Sequence, residues 1–170
     1  MPYKNFPQPP IIPISPTLRL RAYDGNWQLG LPWYQNPVVY YNSEGITDKA
    51  DIPGPEYVKG MYDYFQHSNE SEMYFIEVLE NGIFTPIGDA ALQEKNPPIV
   101  IGVDKYRGVG IGKQVMAAII TRGRGLGIKK FHGTVIYDYN IASQKLFESL
   151  GFTCVDVVGN ERIYALLLED

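Results

Sequence analysis

The chain has 170 residues, a formal net charge of −4 and a sequence pI of about 5.2. This length suits a single domain with a full core, and the acidic balance argues against nucleic acid or a membrane surface as the main partner. The single cysteine excludes a disulfide framework or a cysteine-based metal cluster. No apolar run approaches the ~20 residues that cross a bilayer, and the N-terminus has no signal-peptide core, so we expect a cytoplasmic protein.

The predicted elements begin with a proline-rich arm at residues 1–16, which we expect to be extended because proline lacks a backbone donor. One domain is then predicted over residues 17–170. Its first strand covers residues 17–23, where apolar and charged residues alternate. Residues 26–46 combine aromatic side chains with proline and glycine, which indicates short helices and a loop. An amphipathic helix follows at residues 55–66.

Strands and helices alternate through the rest of the chain. The first two of these strands form a predicted hairpin through Asn81-Gly82. The predicted strands are residues 73–79, 85–93, 98–103, 130–137, 153–158 and 162–168. The predicted helices are residues 110–126 and 140–150. This order predicts an α+β fold, in which a mixed, mostly antiparallel sheet of about seven strands carries helices on both faces.

A glycine-rich turn joins the strand at 98–103 to the helix that follows it. Its key residues are Arg107, Gly108, Gly110 and Gly112. Backbone N–H groups at a helix start lack helical partners, and the positive end of the helix dipole favours an anion. Because glycines let a ligand approach the backbone closely, the turn predicts a phosphate or pyrophosphate site.

The spacing of this turn separates it from two common phosphate loops. A Walker loop needs a glycine where Arg107 stands and a hydroxyl where Gln114 stands, so no magnesium ligand is supplied. A dinucleotide fingerprint needs a third glycine where Lys113 stands. We therefore expect neither a nucleoside triphosphatase nor a dinucleotide-binding domain.

A second motif covers residues 140–152. Asn140 suits the N-cap of a helix and Gly151 its C-terminal cap. The residues that recur at helical spacing and predict a core face are Ala142, Leu146 and Leu150. A separate stripe, which we expect to line a ligand channel, consists of Asn140, Ser143 and Phe147.

The two motifs together resemble the signature of the GNAT N-acetyltransferases. The pattern Arg-x-x-Gly-x-Gly from Arg107 resembles the coenzyme A loop of that family, and the segment from Asn140 resembles the motif that follows it. This resemblance runs from about residue 73 to the C-terminus. Within residues 17–66, Leu-Arg-Leu-Arg and Leu-Pro-Trp-Tyr-Gln-Asn-Pro resemble segments of ribosomal-protein alanine and aminoglycoside 6′-N-acetyltransferases.

The resemblance implies the GNAT fold and transfer of an acetyl group to a primary amine by direct attack in a ternary complex, without a metal. The implied partners are acetyl-coenzyme A and an amine, either a small molecule or a peptide N-terminus, with a homodimer left open. The implied coenzyme-binding residues are Ile101, Val103, Arg107, Gly108, Val109, Gly110, Ile111, Gly112, Lys113, Asn140, Ser143 and Phe147.

The catalytic residues are less well indicated, because the sequence departs from the family at one position. Many members have a tyrosine where Phe147 stands, and its hydroxyl can protonate the departing thiolate. Phe147 has no hydroxyl, so our candidates for acid and base chemistry are Tyr137, Tyr139 and Asp104.

The acceptor site is expected at residues 26–46 and at the turn of residues 158–161. Aromatic and acidic side chains there suit a cationic amine. The candidates are Trp33, Tyr34, Tyr41 and Glu44. A peptide N-terminus, a polyamine and an aminosugar antibiotic all remain open as acceptors.

Two other functions stay open at this point. A non-catalytic acyl-coenzyme A sensor is consistent with Phe147, and an interaction module could use the proline-rich arm. Cys154 lies in a predicted strand with no histidine close in sequence, so we expect a buried structural thiol and not a nucleophile. The two isolated histidines do not predict a metal site.

Overall fold

The computed structural model describes residues 6–168, which form two sheets and five α-helices. The strands are β1 (Ile11–Ser15), β2 (Leu18–Ala22), β3 (Glu72–Glu80), β4 (Ile83–Leu92), β5 (Ile99–Ile101), β6 (Lys130–Tyr137), β7 (Thr153–Val158) and β8 (Glu161–Leu167). The helices are α1 (Leu31–Tyr34), α2 (Pro37–Glu44), α3 (Pro55–His67), α4 (Ile111–Gly125) and α5 (Ile141–Ser149).

The strands divide into a larger and a smaller antiparallel sheet. The larger sheet has the order β1-β2-β3-β4-β5 and the smaller has the order β6-β8-β7. The two sheets meet where Lys95 bridges His132, and His132 exchanges backbone hydrogen bonds of 2.8 and 2.9 Å with Asn96 and Glu94. Lys95 lies in the connection between β4 and β5, and within residues 6–168 strands β5 and β6 do not pair with each other. The edge of β5 that faces the gap therefore has no strand partner, while the edge of β6 is bonded to residues 94–96.

The predicted mixed fold is confirmed, with one strand more than the seven expected. The additional strand, β1, lies in the proline-rich arm and pairs only with β2 at the edge of the larger sheet. An edge position suits Pro13, which has no N–H to donate to a second neighbour. The first five residues of the arm lie outside the described part of the chain, and the division at residue 16 stays a prediction.

The central strand β3 is buried on both faces and separates two hydrophobic cores. Tyr74, Ile76 and Val78 face the core that contains α4 and α5. Met73 and Phe75 face the core formed with α1, α2 and α3. Because successive side chains of a strand point to opposite faces, one apolar run supplies both cores. Helices therefore cover both faces of the larger sheet, as predicted.

The prediction that Cys154 is buried was wrong. Cys154 is exposed, and so is every other residue of β7. The alternation of valines in this segment is typical of a half-buried strand, yet β7 pairs only with β8 and forms the edge of the smaller sheet. Val155 and Val157 consequently remain 60% and 62% exposed.

A carboxyl group, that of Asp89 in β4, is fully buried in the second core. Tyr62 Oη donates to it at 2.6 Å and Tyr34 Oη donates at 2.9 Å. Burial raises the pKa of Asp89 from 3.8 to about 7, although the two tyrosine hydrogen bonds partly oppose the rise. This side chain therefore titrates near neutral pH in the folded protein.

Replacing Asp89→Asn should flatten the pH dependence of stability. In the folded protein the carboxyl keeps its proton up to about pH 7, whereas in the unfolded chain it loses that proton near 3.8. The contribution of Asp89 to the free energy of unfolding should therefore fall as the pH rises through this window, by about 4 kcal/mol. Urea unfolding at a series of pH values measures the slope.

The matched control for this experiment is Asp63→Asn, which removes a surface carboxylate paired with Lys59 at 3.5 Å. We expect this variant to keep the wild-type slope. An equal slope in Asp89→Asn and the wild type would show that Asp89 titrates near its ordinary value.

Candidate active site

A cleft of about 390 Å³ lies beside the gap between the two sheets. Its walls come from α2, the free edge of β5, the start of α4 and one face of α5. The lining residues on the β5 and α4 side are Ile99, Val100, Ile101, Tyr106, Arg107, Gly108, Gly110, Ile111, Gly112 and Lys113. The lining residues on the α2 and α5 side are Val38, Val39, Asn42, Ser43, Asn140, Ala142, Ser143, Lys145, Leu146 and Ser149.

The start of α4 is open toward this cleft. Gly110 is its N-cap, in a left-handed conformation with φ of 88°, and no side chain caps the helix. Gly108 is also left-handed, and a Cβ added at either glycine would meet no atom within 4 Å. In the described part of the chain, the N–H groups of residues 108–113 donate to no backbone carbonyl. Such a row of unpartnered donors suits a phosphate or pyrophosphate.

Gly112 has a different physical role from the two glycines before it. A Cβ on Gly112 would stand 2.7 Å from Leu146 Cδ1, so this glycine lets α4 and α5 approach each other.

Positive charge near the cleft comes from three side chains that line it, those of Lys113, Lys145 and Arg107. These cations complement an anionic ligand.

Arg107 holds the loop that precedes α4. Its Nε donates to Ile101 O at 2.9 Å, and its Nη1 pairs with Asp104. Its Nη2 is buried without a hydrogen-bond partner among the described residues. The pKa of Asp104 is lowered, first by the hydrogen bond from Arg107 and then by one from Asn36. Asp104 therefore carries no proton near neutral pH.

Helix α5 follows the two predicted stripes except at Ala142 and Phe147. Ala142, expected in the core, is exposed and lines the cleft. Phe147, expected to line a channel, is 4% exposed and packs against Phe152 with ring centroids 5.0 Å apart. Asn140 and Ser143 line the cleft as expected, and Leu146 and Leu150 pack against the core that contains α4. Asn140 Oδ1 accepts from Ser143 N at 3.2 Å, which confirms it as the N-cap.

Three tyrosines form a stack between α2 and the end of β6. The rings of Tyr41 and Tyr139 are 4.4 Å apart, and those of Tyr139 and Tyr137 are 5.3 Å apart. Tyr139 Oη donates to Tyr41 O at 2.6 Å. Burial raises the pKa of Tyr137, and the charges of Glu161 and Glu44 raise it further. The hydroxyl of Tyr137 is therefore protonated near neutral pH with two carboxylates close by.

The remaining acceptor candidates lie in different surroundings. Trp33 is buried in the second core and packs closely against Gly102, while Tyr34 is buried and hydrogen-bonded to Asp89. Glu44 is at the end of α2 and accepts from Tyr57 Oη at 2.9 Å. The structure thus brings Tyr41 and Glu44 near Tyr137 and leaves Trp33 and Tyr34 beneath them as packing.

Sequence reasoning did not identify two parts of the cleft. It assigned the segment of α2, within residues 26–46, to the acceptor side, and the wall that α2 adds to the cleft depends on where this short helix lies over the gap. Lys145 did have a local signal in the sequence, because Ala142, Lys145 and Ser149 recur at helical spacing on α5.

A metal centre and a membrane span have no counterpart in residues 6–168. No group of three or more His, Cys, Asp or Glu side chains there could hold a metal ion. Within the same residues no helix is long and apolar enough to cross a bilayer.

The split sheet and the uncapped start of α4 define an acetyltransferase type of fold. The chain belongs to the acetyltransferase (GNAT) family, whose model matches residues 44–152. It is 27% identical over 134 residues to an uncharacterized protein of Methanocaldococcus jannaschii and 35% identical over 60 residues to the uncharacterized N-acetyltransferase YycN of Bacillus subtilis. The matches cover 76% and 35% of this chain, but only 26% and 38% of those two proteins.

Solved structures share the fold. A domain from Methanocaldococcus jannaschii superposes with a TM-score of 0.75 at 25% identity, over 89% of this chain and 98% of that one. RimL, a ribosomal L7/L12 alpha-N-protein acetyltransferase solved in complex with coenzyme A, superposes with a TM-score of 0.65 at 19% identity, over 93% and 98% of the two chains. The second likeness shows the fold alone.

Replacing Gly110→Val should remove anion binding at the start of α4. The new side chain would fill the open space in front of the N–H groups, and we expect affinity for coenzyme A to fall about tenfold or more, as for loss of one or two charge-assisted hydrogen bonds. Isothermal titration calorimetry measures the change.

Gly127→Val is the matched control for strain. Gly127 has φ of 86°, lies just beyond the other end of α4 and also has nothing within 4 Å of an added Cβ. The two variants should lose similar amounts of stability, about 1–2 kcal/mol each. Only Gly110→Val should lose affinity for coenzyme A. Equal affinities in the two variants would contradict the assignment of the loop.

Proposed function

We propose that this chain is an acetyl-coenzyme A-dependent N-acetyltransferase that acts on a primary amine by direct attack in a ternary complex. The observation that carries the proposal is the row of unpartnered N–H groups at residues 108–113, open to a cleft beside the split sheet. Membership of the GNAT family supports an acetyl donor of this kind. The coenzyme A complex of RimL supports the same donor for a protein of this fold.

The chemistry of the residues that line the cleft supports coenzyme binding. The N–H groups of residues 108–113 would hold the pyrophosphate, and Arg107, Lys113 and Lys145 would supply compensating charge. The free edge of β5 near Ile101 and Val103 would pair with amides of the pantetheine arm. Acetyl-coenzyme A, when bound, supplies an acetyl group activated as a thioester.

The amine is assigned to the end of the cleft where α2 meets β6. An amine with a solution pKa of about 10 arrives as a cation and must lose a proton before it can attack. Glu44 and Glu161, whose charges raise the pKa of Tyr137, attract that cation, and the exposed ring of Tyr41 adds a cation–π contact. We assign the proton acceptor to Glu161, because Tyr57 already donates to Glu44.

Of the three candidates for acid and base chemistry, Tyr137 is the one we assign as proton donor. Tyr139 Oη is engaged by Tyr41 O, and Asp104 is an ion-paired carboxylate with a lowered pKa. Tyr137 Oη keeps its proton near neutral pH and lies against Gly45, where an added Cβ would stand 2.9 Å away. This hydroxyl would take the role that Phe147 cannot fill. A homodimer and a cytoplasmic location stay predictions.

The first test is calorimetric titration with acetyl-coenzyme A and with free coenzyme A, followed by assay of thiol release with amines. The panel should contain a peptide N-terminus, a polyamine and an aminosugar. We expect micromolar binding and amine-dependent release of free thiol. Binding without thiol release on any amine would favour a non-catalytic acyl-coenzyme A sensor, and no binding would exclude the proposed function.

Replacing Tyr137→Phe should lower kcat about 100-fold while KM for the amine changes little, because one proton-transfer group is lost and the ring is kept. Steady-state thiol release with the best amine measures both constants. Tyr64→Phe, at a tyrosine of α3 that is 65% exposed, is the control and should match the wild type. An unchanged kcat in Tyr137→Phe would remove Tyr137 from the mechanism.

A further inference from the structure

Helix α2 is a short element whose own packing does not fix its position. Its one buried residue is Val39, whereas Val38 and Tyr41 are 45% and 41% exposed. Burial of one such side chain stabilises a whole helix only weakly. The position of α2 therefore depends on contacts at its two ends.

The N-terminal end of α2 is tied to the exit of β5 through Asn36. The side-chain oxygen of Asn36 accepts from Val38 N at 3.0 Å and caps the helix. The side-chain nitrogen donates to Asp104 Oδ1 at 3.0 Å. One amide thus uses its acceptor on α2 and its donor on the loop that follows β5.

The C-terminal end of α2 is tied to the other sheet. Tyr139, just beyond β6, stacks on Tyr41 and donates to its carbonyl oxygen at 2.6 Å. Tyr137, the last residue of β6, packs against Gly45. Helix α2 therefore spans from the larger sheet to the smaller one, and its face toward the gap is a wall of the cleft.

Asp104, which receives Asn36, belongs to the same loop as the predicted pyrophosphate site. Arg107 joins Asp104 to Ile101 O, and the chain then passes through the exposed, left-handed Gly108 and Gly110. Glycines have more backbone freedom than other residues, so a ligand held by N–H groups of this loop would restrict it strongly. Restriction at Asp104 would fix the acceptor that Asn36 needs.

We propose that Asn36 is a positioning residue that couples occupation of the Asp104–Lys113 loop to the position of α2, and so to the amine side of the cleft. The inference rests on the proposed coenzyme site. Because coupling between two sites is reciprocal, a ligand on the loop tightens α2, and a tightened α2 favours that ligand. Asn36 acts through Asp104 and touches no reacting atom.

Exchanging the amide of Asn36 and the carboxyl of Asp104 tests the contact without removing the helix cap. Asn36→Asp keeps a good N-cap acceptor but sets a carboxylate against Asp104. Asp104→Asn in the same chain supplies a donor again and should restore the contact. The measurement is amide hydrogen exchange of residues 38–44 with and without saturating coenzyme A, in the wild type, both single variants and the double variant.

In the wild type we expect coenzyme A to slow exchange of these amides by about fivefold or more, a common size for coupling between sites. In Asn36→Asp the ratio should fall below about twofold, and in the double variant it should recover. A purely structural role for Asn36 would speed exchange equally in both states and leave the ratio unchanged. An unchanged ratio in Asn36→Asp would therefore overturn the inference.

The same experiment separates this inference from the function on which it rests. If calorimetry shows that coenzyme A binds the wild type but amide exchange in α2 does not slow, the coupling is overturned and the coenzyme site is retained. No binding of coenzyme A to the wild type would overturn both. Recovery in the double variant would show that the Asn36–Asp104 contact itself carries the effect.

Discussion

The structure depends on the separation of strands β5 and β6, which leaves a gap between the two sheets. The two sheets meet where Lys95, in the connection between β4 and β5, bridges His132 of β6, and within residues 6–168 strands β5 and β6 do not pair with each other. Unpaired strand edges are usually covered, because their N–H and C=O groups seek partners. Here the gap is bordered by α2, α4 and α5, which leave a cleft between them. The binding site is thus a consequence of sheet topology, and the glycine-rich loop adds the chemistry.

The rest of the fold holds the two sides of that gap rigidly. Strand β3 supplies both cores, so each face of the larger sheet is anchored by its own helices. On one of those faces the β2–β3 pair also buries Glu77, which accepts from Arg19 and Arg21 at 2.8 and 2.9 Å. Pairing of this kind is needed, since an unpaired buried carboxylate is costly. Of the five α-helices in residues 6–168, α2 has the fewest buried residues, so movement costs least there.

Local patterns predicted most of the fold, because hydrophobic periodicity and turn residues act over short distances. Strands β6 and β7 have the predicted bounds, and the hairpin through Asn81-Gly82 is present. Contacts between distant segments were not predictable in the same way. Three features depend on which elements lie nearby: the burial of Phe147, the exposure of Cys154 and the course of α2 over the gap. Site residues that follow from the loop motif were therefore easier to name than those near the amine.

The exposed position of Cys154 has a practical consequence for measuring the gap. It is the one cysteine of the sequence and lies on the outer strand of the smaller sheet. A maleimide dye or nitroxide attached to this thiol would mark the smaller sheet without filling either core. A second label, at a cysteine introduced on the outer strand β1, would mark the larger sheet. Distances between the two labels would then report, in solution, how far the sheets separate.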